Sequence, residues 1–405
     1  MKTTHEHKFS GNFHQIPKSY IREILNIASK DNMISFAGGL PNPQFFPTEK
    51  LAESAKQVLT EKGIEVLQYA GSQGYLPLRE WIAKRYNQKY GLHISAENIV
   101  ITNGSQQTID VVSKMFLNKD EGVIIEKPTY LGGIQAISGY SPTFLGVDLL
   151  EDGPDLEQLE QYCLNHVPKF MYCIPNFQNP SGICYSKSKR EQLAELMHEY
   201  NLLVLEDDPY NEIRFDVDEL PPLYKLAPNH VIWSGSFSKM VAPGLRMGWA
   251  VLPDGMTNPF IKTKQSTDLH SNNLSQSILY HFLTHHCIDE HLMTIRTAYK
   301  KQCLFMLKMI QKYFPNSIKT TTPQGGMFLW LTLPKDVSAE KLCTNCLNKG
   351  VAAVPGRSFF TNGSGDQHVR MNFSNASLQN IEAGIKIMAE ELKILQHKTI
   401  TFAVL

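Results

Sequence analysis

The chain has 405 residues, longer than one hydrophobic core usually grows, so two domains are expected. Hydrophobic residues make up 42% and charged residues 19%, the composition of a well-packed globule, which excludes a disordered chain. Thirty-nine basic and thirty-nine acidic side chains cancel, so no global field draws the protein to nucleic acid or an anionic membrane, and small-molecule chemistry is favoured.

The N-terminus, "MKTTHEHKFSGNFH", has no hydrophobic signal-peptide core, and no segment stays apolar for the roughly eighteen residues of a membrane span; a cytoplasmic protein is expected. A short helical stretch, "SYIREILNIASKDN", comes next, then "FAGGLPNPQFFP", whose glycines and prolines rule out regular structure. Residues 48–62 read as a helix, and "LQYAGSQGYLPLREWIAKRYNQKYG" reads as a turn and a second helix. The pattern then changes to short apolar runs: "NIVITNG", "GVIIEKPTY", "PTFLGVD", "KFMYCIPN", "LLVLEDDPY", "HVIWSGSFS" and "MGWAVLP". Continuous apolar runs alternating with helices such as "SQQTIDVVSKMF" predict an α/β domain with a mostly parallel, seven-stranded sheet. A long helix, "LMTIRTAYKKQCLFMLKMIQKYF", leads to "GGMFLWLTL", a helix, "GVAAVPG", "HVRMNFS" and a last helix, which predicts a smaller α+β domain. The expected division is an N-terminal arm over 1–44, a large domain over 45–285 and a small C-terminal domain over 286–405. Seven cysteines, an odd number, are read as reduced thiols, and Cys343 and Cys346 in "KLCTNCLNKG" as packed thiols of an amphipathic helix rather than half of a metal site.

In open α/β sheets, ligands bind beyond the carboxyl ends of the strands. Those ends read "NGSQQ" (103–107), "KPTY" (127–130), "PNFQNPSG" (175–182), "EDDPY" (206–210) and "SGSFSK" (234–239), groups suited to an anionic, aromatic ligand. "NGSQQ" runs into a helix whose N-terminus can face a phosphate, although an ordinary Ser-capped turn accounts for it equally well. Ser236, Ser238 and Arg246 offer further donors to one anion, and Tyr130 a stacking ring. Asp207 ends an apolar strand, where a carboxylate either caps a helix or faces a positive group. Lys239 stands alone among these donors. A random lysine is a surface lysine; this one has the wrong neighbours for that.

With these residues the chain resembles the fold-type-I pyridoxal-5′-phosphate (PLP) aminotransferases, in particular the 2-aminoadipate/kynurenine aminotransferase-like branch. The resemblance runs from about Ser19 to the last helix through "SYIREIL", "FAGGLPNPQFFP", "LQYAGSQGYLPLRE", "TNGSQQ", "PTY", "PNFQNPSG", "EDDPY", "SFSKMVAPGLRMGW" and "VRMNFS", in family order. It implies the aspartate aminotransferase-like fold. Lys239 is then the lysine that joins the PLP aldehyde and later acts as base at the substrate α-carbon. Asp207 matches the acid at the pyridine nitrogen, Tyr210 and Asn179 the donors to the phenolic oxygen, and Tyr130 the ring that stacks. Ser105, Gln106, Ser236, Ser238 and Arg246 match the phosphate cup. Tyr69 matches a tyrosine that reaches the neighbouring subunit's phosphate, which implies a homodimer with active sites at the interface. Arg370 matches the clamp on the substrate α-carboxylate, with Gly39 facing the same group and Arg22 reading a side-chain carboxylate. The implied reaction moves an amino group from an L-amino acid, whether 2-aminoadipate, glutamate, aromatic or branched-chain, to a 2-oxo acid such as 2-oxoglutarate.

Another PLP reaction, β-lyase or decarboxylase, would use the same Lys239 and Asp207. A transcription regulator with an aminotransferase-like domain would need about seventy basic residues ahead of "SYIREIL", where fewer than twenty stand. A plain nucleotide-binding protein would need a glycine-rich phosphate loop, which "NGSQQT" is not.

Overall fold

The computed structural model describes residues 5–17 and 33–403. Its main sheet contains the seven strands read from the sequence and one more. They are β1 (Ile99–Thr102), β2 (Gly122–Lys127), β3 (Thr143–Leu150), β4 (Gly153–Pro154), β5 (Phe170–Cys173), β6 (Val204–Asp207), β7 (Val231–Ser236) and β8 (Gly248–Val251), ordered β1-β8-β7-β6-β5-β2-β3-β4. The additional strand, β4, is a two-residue return of the β3 hairpin at the sheet edge, too short to leave an apolar run.

Neighbours from β3 through β2, β5 and β6 to β7 are parallel, while β8 is antiparallel to both β7 and β1. Every residue of β1, β5, β6, β7 and β8 is buried, as expected of strands covered by helices on both faces. The consequence for function is directional. β1, β2, β5, β6 and β7 all run the same way, so their carboxyl ends, with the polar loops that follow, open on one edge of the sheet.

A second, antiparallel sheet is ordered β9 (Lys319–Thr320), β10 (Phe328–Thr332), β12 (His368–Asn372), β11 (Val354–Pro355). The helix Ala339–Asn348 packs on it, and the helix Leu378–Ala403 packs in turn on Ala339–Asn348 and Ile288–Tyr313. "GVAAVPG", expected as one strand, divides at Ala353. Val351–Ala352 pairs in parallel with Ile34–Ser35, while Val354–Pro355 turns to β12. Cys343 and Cys346 are buried free thiols of the helix Ala339–Asn348. The stretch "SYIREILNIASKDN", Arg22 included, lies outside the described residues. Among the described residues no helix is long and apolar enough to cross a membrane.

Candidate active site

At the end of β1, Gly104 takes a φ of +79°, which glycine adopts without a Cβ penalty. A Cβ there would stand 2.7 Å from Arg246 Nη2, so glycine is what lets the guanidinium lie on the backbone. Arg246 is exposed and donates to Asn103 O at 3.0 Å and Pro243 O at 3.3 Å. Ser105 opens the helix Ser105–Phe116, whose first N–H groups have no acceptor within the helix and carry its positive end. Across the sheet edge, Ser236 ends β7 and its hydroxyl accepts from the Ser238 N–H at 3.1 Å. Two strand ends thus bring hydroxyls, free N–H groups and a guanidinium to one place, a donor set for a phosphate. Gln106 lines the same cavity, and its Nε2 donates to Gly132 O at 2.7 Å, which ties this helix to the one after Tyr130.

The next zone suits an aromatic ring. Tyr130 stands at the mouth, ahead of the helix Leu131–Ser138, and a Cβ on Gly132 would come within 2.4 Å of its ring. Asp207 ends β6, buried, with Oδ2 accepting from the Tyr172 hydroxyl at 3.0 Å. Its Oδ1 is buried without a hydrogen-bond partner among the described residues. Burial pushes this carboxyl up to about 7, against the pull of Tyr172; Asp208 adds to the rise and Ser105 opposes it. Tyr210 is also buried, which raises its phenol, and its ring meets Phe328 edge-on with centroids 6.1 Å apart.

Lys239 follows β7 by three residues, and its Nζ donates to Gly39 O at 2.7 Å. Burial, then the positive charges of Arg370 and Arg246, bring its amine down to about 8. Arg370 lies on β12, buried between the rings of Phe328 and Phe359, 4.4 Å and 4.9 Å from their centroids. It donates to Asn179 Oδ1 at 2.8 Å and to Ala37 O at 2.5 Å, while its Nε is buried without a partner among the described residues. Burial lowers this guanidinium to about 10, with Tyr210 and Tyr130 opposing.

The loop over 36–42 closes this side and is pinned at five residues. Phe36 O accepts from Asn372 N–H, Ala37 O from Arg370, Gly39 O from Lys239 and Leu40 O from Ser374, and the Asn42 N–H donates to Tyr299. Gly39 is there for closeness, since a Cβ would stand 2.9 Å from the Phe328 ring.

All the site residues read from the sequence line one cavity of about 440 Å³, except Tyr69 and Arg22. Tyr69 is 80% exposed, beside His270, and contributes nothing to the cavity of its own chain. Arg22 lies outside the described residues. The sequence reading missed Tyr172, which looked like sheet core, and the Phe328–Phe359 pair around Arg370, whose members lie on separate elements. It also missed Leu40, Gln135 and Ile174 in the cavity wall.

The class I and II aminotransferase family matches this chain over residues 32–387. A 2-aminoadipate transaminase from Thermus thermophilus is 39% identical over 383 residues, covering 94% of this chain and 95% of that one. Aromatic-amino-acid aminotransferase 1 from Thermococcus litoralis is 35% identical over 381 residues, covering 93% and 91%. Among solved structures, the α-aminoadipate aminotransferase from Thermus thermophilus complexed with N-(5′-phosphopyridoxyl)-L-leucine aligns with a TM-score of 0.91. It is 38% identical, and the alignment covers 98% of this chain and 100% of that one.

Proposed function

This chain belongs to the class I and II aminotransferases, and from that membership we propose that it moves the amino group of an L-amino acid, 2-aminoadipate or glutamate first, to 2-oxoglutarate, with aromatic and branched-chain donors as further substrates. The family's cofactor is PLP, which when bound supplies an electron sink for the pair left on the substrate α-carbon. The residues present fit it. Asp207 Oδ1, buried and unpartnered, suits a ring N–H, and the donors of Ser105, Ser236, Ser238 and Arg246 suit a phosphate.

Each side chain then has a task at a stated atom. Asp207 would hold a proton at the ring nitrogen, Asn179 and Tyr210 would donate to the phenolic oxygen, and Tyr130 would pack against the ring. Ser105, Ser236, Ser238 and Arg246 bind the phosphate, with Gln106 bracing the Ser105 helix through Gly132 O. Lys239 Nζ would hold the cofactor at its aldehyde and, when free, would take the proton from the substrate α-carbon. Arg370 grips the α-carboxylate in a bidentate pair beside Gly39, and Arg22 reads a distal carboxylate. Exposed Tyr69 completes the phosphate site of a second copy, so the active unit is a homodimer. With an arm over 1–44 and domains over 45–285 and 286–405, the Arg370 clamp would belong to the smaller domain.

One observation carries this reading: Lys239 Nζ rests on a neutral carbonyl near two guanidinium groups, in the cavity that holds Asp207 Oδ1. A donor panel with 2-oxoglutarate tests it. Aminoadipate and glutamate are expected to give the highest kcat/KM, and Arg22→Ala to raise KM for these two more than for leucine or phenylalanine. Keto acid formed equally well without any acceptor would replace transamination with elimination.

A further inference from the structure

We propose that Tyr172 is a positioning residue for the reaction: its phenol holds Oδ2 of Asp207, so that Oδ1 alone is turned to the cofactor's ring nitrogen. This rests on the reading of Asp207 above. Tyr172 sits on β5, opposite Leu205 of β6 in the parallel register. Side chains alternate along a strand, so Leu205 and Asp207 share a face, and Asp207 projects about 7 Å further along, close to the reach of a phenol. The Tyr172 ring is fully buried, and its hydroxyl donates to Asp207 Oδ2 at 3.0 Å.

A second feature keeps the ring in place. Gly133, on the helix Leu131–Ser138 behind Tyr130, faces it so closely that a Cβ there would stand 2.7 Å from Tyr172 Cε1. A glycine inside a helix forgoes some stability relative to alanine, and here it leaves the slot that the phenol fills. A carboxylate with one oxygen held cannot rotate both away from the ring. The donor therefore sets the orientation of the acid.

Tyr172→Phe removes the hydroxyl and keeps the ring. The holoenzyme variant is expected to hold PLP about tenfold less tightly and to lose about tenfold in kcat, the scale of one hydrogen bond to a charged group. KM for the amino donor should stay within about twofold, because Arg370 is untouched. The decisive measurement uses a PLP analogue with carbon in place of the ring nitrogen. The variant and the parent chain should bind this analogue equally, since Oδ1 has no N–H to meet in either. Equal PLP affinity and kcat in the two chains would overturn the proposal, as would a penalty that persists with the analogue, which would make Tyr172 packing alone. If the parent chain held PLP and analogue alike, the reading of Asp207 would fall, and the proposal with it. Should Tyr172→Phe fail to fold, Gly133→Ala, which crowds the phenol off Oδ2, is held to the same two comparisons.

Discussion

Lys239 and Lys264 are both withdrawn from water, and burial lowers both amines, but the fold gives them opposite partners. Lys264, on the helix Thr257–Gln265, has a fully buried side chain whose Nζ meets Asp268 Oδ2 at 3.1 Å and donates to Ser72 O at 3.4 Å. Asp268 also accepts from Asn103 and Gln107, at 2.8 and 3.0 Å. Burial pushes the Asp268 acid up, yet Gln107 and Lys264 more than offset it and leave it below its usual range. Lys239 receives a carbonyl instead of a carboxylate, and two guanidinium groups for neighbours. The carboxylate opposes that lowering for the first lysine, whose partner Asp268 also holds the turn at Asn103; for the second, two cations add to it. Burial alone therefore does not mark a reactive amine. The absent counter-charge does.

The largest effect should come from erasing the second lysine. Lys239→Met is expected to lower turnover by about a thousandfold or more, the range associated with losing a general base, in a steady-state assay at saturating PLP. The same substitution should leave the unfolding temperature of the cofactor-stripped protein unchanged or higher at pH 7. The folded amine titrates near 8 and the unfolded one near its ordinary 10.5, so between those values the unfolded chain binds more protons. The charged ammonium thus costs stability below about pH 8, and methionine removes that cost. A large drop in unfolding temperature would make Lys239 a structural lysine after all.

Breaking the first lysine should do the reverse. Lys264→Met strands Asp268 and is expected to cost about 3 kcal/mol in denaturant unfolding, with kcat little altered at saturating PLP. A neutral outcome there would dissolve the contrast. The smallest effect sharpens it. The rate at which PLP and borohydride trap Lys239 should rise through pH of about 8, where an ordinary lysine would rise near 10.5. Arg370→Gln takes one of the two nearby cations away, so that midpoint should move upward, by less than about a tenfold change in proton affinity.

Much of this was legible in the chain. The strands of the main sheet announced themselves as apolar runs of Val, Ile and Leu, and their ends carried the polar residues that line the cavity. What escaped was whatever depends on register or on distant packing. Tyr172 lies inside an apolar run, and only the pairing of β5 with β6 aims its hydroxyl at Asp207. Lys264 reads as a helix-surface lysine; its spacing to Asp268 is visible in sequence, but its depth is set by the contact with Ser72, nearly two hundred residues away. Phe328 and Phe359 enclose Arg370 from two elements that periodicity cannot bring together.

The pinned loop over 36–42 has a consequence for affinity. Its carbonyls at Ala37 and Gly39 accept from Arg370, proposed to grip the substrate carboxylate, and from Lys239, proposed to hold the cofactor. On that proposal, a carboxylate that reaches Arg370 competes with the polypeptide's own Ala37 oxygen. What a binding assay reports is an exchange, in which new hydrogen bonds form as old ones are surrendered. The same exchange would loosen the doorway strip at Ala37 while Phe36, Leu40 and Asn42 keep their own hydrogen bonds.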